Sequence, residues 1–385
     1  MPQDNGRPRT TIDTDVLDTI RRRGTTTRVE LARELGVTAA TITNAVKRLL
    51  SAGLVMETGH AKSTGGKRAS LLQLNDQSRW ALGCTVDAGR LSLAAVDTTG
   101  ALRSRSVQPL PANADRRVVE ETLHRGVELM APTTGPATIA GIGFSIPSSE
   151  HGADLAYVAR KAVADLGLAA VDADEATCAA VGSYWSGEQP EHGVTATVHT
   201  DGRTTIALLE DGVPMRRSSA GLDLGLDHVC VDPHGPACPC GRRGCLQLYA
   251  SPDALVAHAQ TAGIAEEIGI RGNEDTVISD AVQLALAASR GEARARAILE
   301  DAAEATMHAV WPIVAGLGVG SVTLTGTIPQ AAPATTAQVA ATYSRTRTEA
   351  LGCEVPVYVS QVQPHPCAVG AAVLALRTFL QAGTA

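Results

Sequence analysis

Two stretches of this 385-residue sequence repeat one pattern of strands and turns, about 112 residues apart. Val86 in the first copy corresponds to Val198 in the second, and Gly100 corresponds to Gly212. Each copy reads as three short strands joined by two turns, and helix and strand patterns follow it. A duplication of this kind predicts an α/β body of two similar lobes, with a cleft between them that can bind a small molecule. Chance similarity between meandering strands is the alternative.

The body begins after residue 78, where the pattern changes to alternating strands and helices. We predict a first lobe over about residues 79–190 together with the C-terminal helix, and a second lobe over about 191–365. Outside the repeats, the predicted strands are 138–146, 321–325 and 355–359, and the predicted helices are 117–131, 252–262, 276–310 and 367–381. We expect Gly291 to break the third of these helices and Pro312 to lie beyond its end.

Residues 1–78 read as a separate domain of three helices and a hairpin, the pattern of a winged helix-turn-helix. The first helix is predicted from Thr14 to Arg23, and the second begins with a capping box at Thr27. Thr38 is placed to cap the third helix. The apolar stripe of this third helix comprises Ile42, Ala45, Val46, Leu49 and Leu50. The stripe leaves the opposite face of the helix polar and available to a partner.

Two parts of this domain are suited to double-stranded DNA. The polar face of the third helix offers short side chains and one cation to a major groove. Strands predicted at 54–57 and 70–74 flank a basic, glycine-rich loop, which would form a wing that touches phosphates or the minor groove. The candidate DNA-binding residues are Thr38, Ala40, Thr43, Asn44, Lys47, Lys62, Lys67 and Arg68. A three-helix domain for protein contacts is the alternative.

Charge is distributed unevenly along the chain. The net charge is −7, but residues 1–75 hold 12 Lys and Arg against 7 Asp and Glu, whereas the rest hold 21 against 33. A basic head on an acidic body predicts that only the head meets a polyanion. Because one small module contacts little DNA, we expect a homodimer or homotetramer on a pseudo-palindromic operator. Aromatic residues, at 3%, are too scarce for a protein that stacks on single-stranded bases.

The sequence contains no apolar stretch long enough to span a membrane, and no apolar segment typical of a secretory signal at its N-terminus. We therefore expect a cytoplasmic protein with no membrane partner. Its 8 cysteines should then be reduced, buried or bound to metal. Those that stand apart in the sequence, and are predicted to be core residues, are Cys84, Cys178, Cys353 and Cys367.

The strongest chemical motif begins at His228. Cys238, Cys240 and Cys245 fall within eight residues and are separated by glycine and proline, so that three thiols can turn back toward one ion. With the His228 imidazole they would form a tetrahedral site of three cysteines and one histidine. Soft thiolates and four protein ligands predict a structural Zn²⁺ without an open position for catalysis. Two competing ligands, which the spacing does not exclude, are Cys230 and His234.

These features together resemble the ROK family, which is named for its repressors, open reading frames and sugar kinases. The resemblance covers about residues 12–381. It is carried by His228 followed by C-x-C-G-x-x-G-C, and by the wing segment 65–68 with the LLQLN that comes shortly after it. It implies an α/β fold in which a winged helix-turn-helix precedes an actin-like, ribonuclease H-type body of two lobes. It also implies that the histidine and three cysteines of the motif hold zinc.

The sequence departs from ROK kinases at the loops that would hold ATP. Residues 87–91 stand where the kinases have Asp-x-Gly-Gly-Thr, and residues 200–204 stand where they have Gly-Thr-Gly-x-Gly. The family has a third Gly-Gly pair on the nucleotide side, and Gly326-Thr327 stands in its place in this chain. Phosphate loops need glycine so that backbone N–H groups can reach the oxygens. We therefore expect neither ATP binding nor enzyme activity.

The sugar-binding positions of the family differ as well. The family's Asn-Asp pair, whose Asp is the general base in kinases, corresponds to Ala173-Asp174, and its Glu-x-Gly-His corresponds to residues 225–228. A family Glu after the metal motif is Gln247 here. The candidate effector-binding residues are Ala173, Asp174, Gly225, Asp227 and His228. We expect an effector other than a simple aldohexose, because polyol recognition needs the missing carboxylate and amide. Asp174 has an alternative role as the cap of the next helix.

The sequence as a whole predicts a sequence-specific DNA-binding transcriptional regulator, a repressor, with a structural zinc and a small-molecule effector that changes its affinity for DNA. Two other functions remain open. One is a ROK-type sugar kinase with an added DNA-binding head. The other is a regulator whose body only forms oligomers or docks a protein partner.

Overall fold

The computed structural model describes most of the chain, in segments. The described residues are 12–60, 69–87, 89–111, 114–130, 138–147, 154, 157, 160–161, 168–190, 193–215, 225–273, 276–349, 354–362 and 365–382. The wing residues Lys62, Lys67 and Arg68, and also Cys353, lie outside them. Within the described residues, no helix is both long and apolar enough to cross a lipid bilayer.

The N-terminal domain contains the three predicted helices. These are α1 (Ile12–Arg23), α2 (Arg28–Glu34) and α3 (Ala39–Ser51). Thr27 forms the predicted capping box with Glu30, whose carboxylate accepts the Thr27 backbone N–H at 2.8 Å. The Thr38 hydroxyl accepts the Thr41 backbone N–H at 3.2 Å and so caps α3. The core between the helices is formed by Val16, Ile20, Leu31, Ile42, Ala45, Val46 and Leu49, all of which are buried.

The hairpin of this domain consists of β1 (Val55–His60) and β2 (Ser70–Leu74), which pair antiparallel. The first strand was predicted to end at residue 57 and continues for three further residues, because it stays paired with β2 as far as His60. The turn between α1 and α2 is joined to the hairpin. Thr26 donates its N–H to the Leu72 carbonyl at 3.1 Å and accepts the Leu72 N–H at 2.7 Å.

The body consists of two five-stranded sheets. The strands of the first are β3 (Arg79–Asp87), β4 (Arg90–Asp97), β5 (Leu102–Pro109), β6 (Thr138–Ile146) and β7 (Ala170–Asp174), in the order β5-β4-β3-β6-β7. Those of the second are β8 (Val194–Asp201), β9 (Arg203–Glu210), β10 (Val213–Pro214), β11 (Ser321–Thr325) and β12 (Val357–Val359), in the order β10-β9-β8-β11-β12. The two orders are equivalent, and in each sheet four strands run in one direction while one strand, β4 or β9, runs antiparallel to its two neighbours. The predicted two-lobed α/β duplication is therefore confirmed.

Helices cover both sheets. The helices packed on the first sheet are α4 (Arg116–Met130) and the C-terminal α12 (Pro366–Ala382), whereas α5 (Glu175–Trp185) packs between α12 and strands β8 and β9 of the second sheet. Those of the second lobe are α6 (Gln247–Ala250), α7 (Pro252–Thr261), α8 (Val277–Ser289), α9 (Ala293–Leu317), α10 (Thr327–Ala331) and α11 (Pro333–Thr348). α12 lies directly on the first sheet, because a Cβ at Gly83 or Gly143 would come within 1.9 Å of a carbonyl oxygen of the helix.

The long helical region around residue 291 differs from its prediction in one respect. It is divided at Gly291 into α8 and α9, as the sequence predicts. The expectation that Pro312 lies beyond the end of the helix is wrong, since α9 continues through Pro312 to Leu317. A proline near the end of a long helix removes one backbone hydrogen bond. Burial of Val314 offsets that loss, and Gly318 ends the helix in a left-handed conformation.

Candidate DNA-binding face, metal centre and interlobe cleft

Helix α3 has one buried face and one exposed polar face. Its buried residues are Ile42, Ala45, Val46 and Leu49, and its exposed residues include Ala40, Thr43, Asn44 and Lys47. The candidate base-contacting side chains therefore lie together on the accessible side of a capped helix. This is the arrangement in which a recognition helix can enter a major groove.

An acidic residue that was not predicted from the sequence, Asp13, holds α3 in place. Arg48 donates to both carboxylate oxygens of Asp13, and its Nε lies 2.9 Å from Oδ2. Asp13 is 1% exposed, and the hydrogen bond to it raises the pKa of Arg48. The pair connects α1 with α3 across the core of the head. The first helix was predicted to begin at Thr14, so Asp13 was not placed on its buried face.

The metal motif brings its four predicted ligands together. The nitrogen of His228 and the thiols of Cys238, Cys240 and Cys245 lie within 4.8 Å of one another. His228 Nδ1 is 3.6 Å from Cys238 Sγ, and Cys240 Sγ is 3.6 Å from Cys245 Sγ. Ligands at zinc–sulfur and zinc–nitrogen bond lengths are roughly 3.3 to 3.8 Å apart around a tetrahedron. The residues therefore fit a tetrahedral zinc ion, and the competing Cys230 and His234 are not in the cluster.

The backbone around the cluster explains why the motif contains these glycines. Gly244 has φ +58°, and a Cβ there would come 1.6 Å from the Asp232 carbonyl oxygen, so that only glycine allows the chain to return with Cys245. Burial raises the pKa of Cys245 to about 12, whereas the backbone N–H of Arg242 lowers the pKa of Cys240. Gln247, the second residue after the motif, donates to the Cys238 sulfur at 3.0 Å. Such donors orient the sulfur ligands of a metal site.

The two aspartates predicted in the effector cleft are both engaged with the protein. Asp174 ends β7 and caps α5, since it accepts the Thr177 N–H at 2.9 Å and the Thr177 hydroxyl at 2.8 Å. Ala173, beside it, is partly buried. Asp227 accepts the Arg203 Nε–H at 2.8 Å and the backbone N–H of Thr204 at 2.9 Å. The alternative role of Asp174 as a helix cap therefore has direct support.

Gly225 lies beside the guanidinium of Arg203. A Cβ at residue 225 would come 2.7 Å from Arg203 Nη2. The arginine therefore occupies space that a larger side chain at residue 225, such as the family's glutamate, would need. Next to Asp227, His228 belongs to the metal cluster, which means that the metal motif and this side of the cleft are one structural unit.

The segment that stands where ROK kinases have their second phosphate loop contains a carboxylate, Asp201, that binds the protein's own backbone. β8 ends at Asp201, and its Oδ1 accepts the Thr327 N–H at 2.6 Å and also bonds the Thr327 hydroxyl. Thr327 follows Gly326, whose φ is +119° and where a Cβ would come 2.7 Å from the Thr200 carbonyl oxygen. The Asp201 carboxylate therefore binds the backbone N–H group that follows the Gly326 turn, as a phosphate oxygen would.

Behind this loop lies a buried cluster of ionisable groups that sequence reasoning did not find. We call it the interlobe cluster, and its members are Glu175, His199, Asp201, His365 and Cys367. Asp201 Oδ2 lies 3.4 Å from Nε2 of both His199 and His365. His199 Nε2 is 3.8 Å from Glu175 Oε1, and the Cys367 thiol donates to the Glu175 carbonyl at 3.3 Å.

The interlobe cluster contains acidic and basic groups, which shift the pKa values of one another. Burial opposes ionisation of His199, Asp201, His365 and Cys367, but Cys367 and Asp201 raise the pKa of His365 to about 10 and that of His199 well above its usual value. The two histidines in turn lower the pKa of Asp201 and of Cys367. Because Glu175 follows the first sheet and His199 and Asp201 belong to the second, the cluster holds the two lobes together. Cys178 and Cys367, predicted as separate core residues, pack in one buried group.

No local pattern reveals this cluster. Its members lie as much as 192 residues apart, and in sequence each is a single polar residue without a partner pattern around it. One signal was present, since Asp201 lies in residues 200–204, where ROK kinases have Gly-Thr-Gly-x-Gly. That replacement indicates the loss of a phosphate site but does not predict which groups the new side chain contacts.

Comparisons with known proteins agree with this architecture. The ROK family matches residues 152–378, and a winged helix-turn-helix DNA-binding family matches residues 9–56. The chain is 24% identical over 250 residues to the xylose repressor of Bacillus spizizenii, covering 61% of this chain and 64% of that protein. It is 29% identical over 191 residues to the N-acetylmannosamine kinase of Citrobacter koseri, covering 46% and 63%. The chain thus matches less than two thirds of the length of each of these two relatives.

Solved structures share the fold. A ROK family transcriptional regulator, a homologue of the Escherichia coli MLC protein, superposes with a TM-score of 0.67 at 17% identity, over 96% of this chain and 97% of that one. A ROK hexokinase from Thermus thermophilus superposes with a TM-score of 0.58 at 21% identity, over 76% and 97%. The regulator match covers the head as well as the body. The chain therefore belongs to the ROK family, in the arrangement of its repressor branch, with a winged helix-turn-helix domain followed by a ROK body.

Proposed function

We propose that this protein is a sequence-specific DNA-binding transcriptional repressor, which acts as a homodimer or homotetramer on a pseudo-palindromic operator. The observation that carries the proposal is the exposed face of α3, with Thr43, Asn44 and Lys47 side by side on a helix capped by Thr38. Asp13 and the buried stripe hold the helix in one orientation, as base readout requires. The basic wing with Lys62, Lys67 and Arg68 would add contacts to phosphates.

Fluorescence anisotropy tests the proposal, with the purified protein on the DNA upstream of its own gene and with competitor DNA present. We expect tight binding that resists the competitor. Asn44→Ala should weaken operator binding about tenfold without changing nonspecific binding, because it removes a base contact. Lys47→Ala and Arg68→Ala should weaken binding to all sequences and flatten its salt dependence. If these variants bind like the wild type, the proposed DNA-binding face is wrong.

The second part of the proposal is a structural zinc at His228, Cys238, Cys240 and Cys245. The donor set and the 3.6 Å separations support zinc, which would cross-link the segment between β10 and α6. Four protein ligands leave no position for a catalytic water. Zinc analysis of the purified chain should therefore give one ion per chain, and a chelator should unfold this segment.

The third part is a small-molecule effector in the cleft near Ala173, Asp174, Gly225, Asp227 and His228. The relatives named xylose repressors make a pentose the first ligand to test, and the missing family glutamate argues against an ordinary aldohexose. Effector binding would change the relation between the two DNA-binding heads and so the affinity for DNA. A specific rise in melting temperature with one sugar, and a change in DNA affinity with the same sugar, are the expected results.

Kinase activity is the main alternative, since N-acetylmannosamine kinases are among the relatives. The Asp201 carboxylate bound to Thr327 argues against it, because an ATP phosphate would meet a like charge there. Turnover of ATP with any hexose, lost in Asp174→Asn, would replace the proposal with the kinase. A body that only forms oligomers or docks a protein partner would instead give no thermal shift with any sugar while DNA binding remains.

A further inference from the structure

The DNA-binding head and the body share one apolar core. Val16, Leu17 and Ile20 of α1 belong to the same continuous cluster of buried residues as Tyr184 of α5 and Leu376 of α12. The two parts of the chain are thus packed against each other. The position of the head relative to the body is therefore set by specific contacts.

The most specific of these contacts is made by Arg21 of α1. Its guanidinium carbon lies 4.1 Å from the ring centroid of Trp185 and 5.9 Å from that of Tyr184. Asp18, one turn earlier, accepts hydrogen bonds from Arg21 Nε and Nη2 at 3.2 and 3.1 Å. The side chain of Arg21 is only 12% exposed. A guanidinium stacked on indole and fixed by a carboxylate has little freedom to rotate.

The two aromatic residues are in turn held by both lobes. In the first repeat Gly100 lies against Trp185, where a Cβ would come 2.3 Å from the ring. In the second repeat the corresponding Gly212 lies against Tyr184, where a Cβ would come 2.1 Å from the ring. The equivalent turns of the two lobes therefore touch neighbouring side chains at the end of α5. A shift of one lobe against the other must move at least one of these rings.

Arg377 of α12 completes the junction. It donates to the carbonyl of Gly212 at 3.1 Å. Burial lowers the pKa of Arg377, and Asp18 of the head opposes that shift. Head, C-terminal helix and second lobe thus meet around Arg21 and Trp185.

We infer that Arg21 and Trp185 are positioning residues, which fix the orientation of the DNA-binding head at the seam between the lobes and so determine the half-site spacing that the protein recognises. This inference rests on the proposed function, since spacing matters only when two heads bind one operator. Neither residue contacts DNA. They act by setting the orientation of α3 relative to the body. Because Gly100 and Gly212 contact Trp185 and Tyr184, that orientation depends on the position of one lobe relative to the other.

The test begins with selection of preferred sites from random DNA by the full-length wild type. Affinity is then measured on a single half-site and on paired half-sites whose spacing changes by one base pair at a time. We expect one preferred spacing for the wild type. Arg21→Ala and Trp185→Ala should lose that preference, with roughly tenfold weaker binding at the best spacing and unchanged binding to the single half-site. Trp185→Phe, which keeps an aromatic face, should restore the preference.

Two controls separate positioning from simple loss of charge or of an indole. Arg22→Ala removes a cation that pairs with the same Asp18 but is not stacked on Trp185. Trp311→Phe changes a tryptophan of the second lobe that meets the Tyr343 ring edge to face. Both should keep the spacing preference. Where Trp185→Ala fails to fold, Arg21→Ala and Arg21→Lys give the answer, because Arg21 is not part of the apolar core.

The outcomes distinguish the inference from the proposed function. A wild type that enriches no DNA sequence overturns both. A wild type that selects half-sites without preferring a spacing overturns the inference alone. The inference also fails if Arg21→Ala keeps the wild-type spacing profile, or if it weakens the single half-site as much as the paired one.

Discussion

At the carboxyl ends of its parallel strands, the first lobe carries Asp174 and the second carries Asp201, two aspartates with different surroundings. Asp174 is partly exposed and accepts hydrogen bonds from Thr177 at the start of the helix that follows it. The Asp201 side chain is 8% exposed and lies between two histidines from separate segments. The lobes thus share a strand order, while these two aspartates contact different groups. The two repeats keep the same strand order, whereas the side chains at the strand ends make different contacts, because those side chains do not determine how the strands pair.

The metal motif is the largest difference between the lobes, and its removal should have the largest effect. Cys240→Ser should lose the zinc and destabilise the body by more than about 5 kcal/mol, because metal binding supplies folding free energy to the segment that it cross-links. Zinc content and thermal unfolding of the purified variant check this. Cys230→Ser is the matched control, since Cys230 is an exposed thiol outside the cluster. A full zinc complement in Cys240→Ser would mean a different ligand set.

The interlobe cluster predicts the next largest effect. Asp201→Asn removes the charge that faces His199 and His365 but keeps the shape of the side chain. Loss of one partner from a buried ionic group typically costs about 3 to 5 kcal/mol. Denaturant unfolding should show this loss, while Asp211→Asn, on an exposed turn of the same lobe, should change stability by less than about 0.5 kcal/mol. Equal effects of the two substitutions would contradict the importance of the cluster.

The same cluster should make stability depend on pH. Because the pKa of His365 is raised from 6.5 to about 10, its stabilising contribution is complete below about pH 6.5 and is lost as the pH rises through 10. The pKa of Asp201 is lowered, so its contribution is present above pH 3.8 and is lost in stronger acid. The melting temperature should therefore fall between pH 7 and pH 10. In Asp201→Asn that fall should be smaller, and an identical pH profile would exclude the coupling.

Asp174 in the first lobe should have the smallest effect. Asp174→Ala removes a helix cap, which is worth about 1 kcal/mol. Asp115→Ala is the matched control, because Asp115 accepts the Val118 N–H at 2.9 Å in the same lobe and is exposed. Equal losses of stability would indicate that both are caps. If a sugar raises the melting temperature of the wild type and of Asp115→Ala but not of Asp174→Ala, Asp174 also binds the effector.

Much of this architecture could be predicted because its causes are local. The capping box at Thr27, the cap at Thr38 and the apolar stripe of the head depend on residues three or four positions apart. The metal motif places four ligands within 18 residues, and its glycines determine the turn that brings Cys245 back. The duplication was visible because Gly100 and Gly212 occupy equivalent tight turns, both with positive φ.

The rest depended on contacts between residues that are far apart in the chain. Asp13 and Arg48 are 35 residues apart, and Glu175 and Cys367 are 192 residues apart. Their sequence neighbours give no sign of these partners. Asp174 illustrates the same limit, since sequence could not choose between a cap and a ligand, and the contact with Thr177 establishes the cap.

The sequence by itself determined the helices of the head, the two-lobed body and the motif that begins at His228, because backbone preference and short-range spacing specify each of them. Tertiary structure decided that Cys230 and His234 lie outside the group that could hold a metal. Tertiary structure alone decided that Arg21 stacks on Trp185 and that Asp201 meets two histidines between the lobes. Those contacts arise only when helices and strands from both repeats pack together. Burial then gives ordinary polar residues strong mutual interactions that no local pattern encodes.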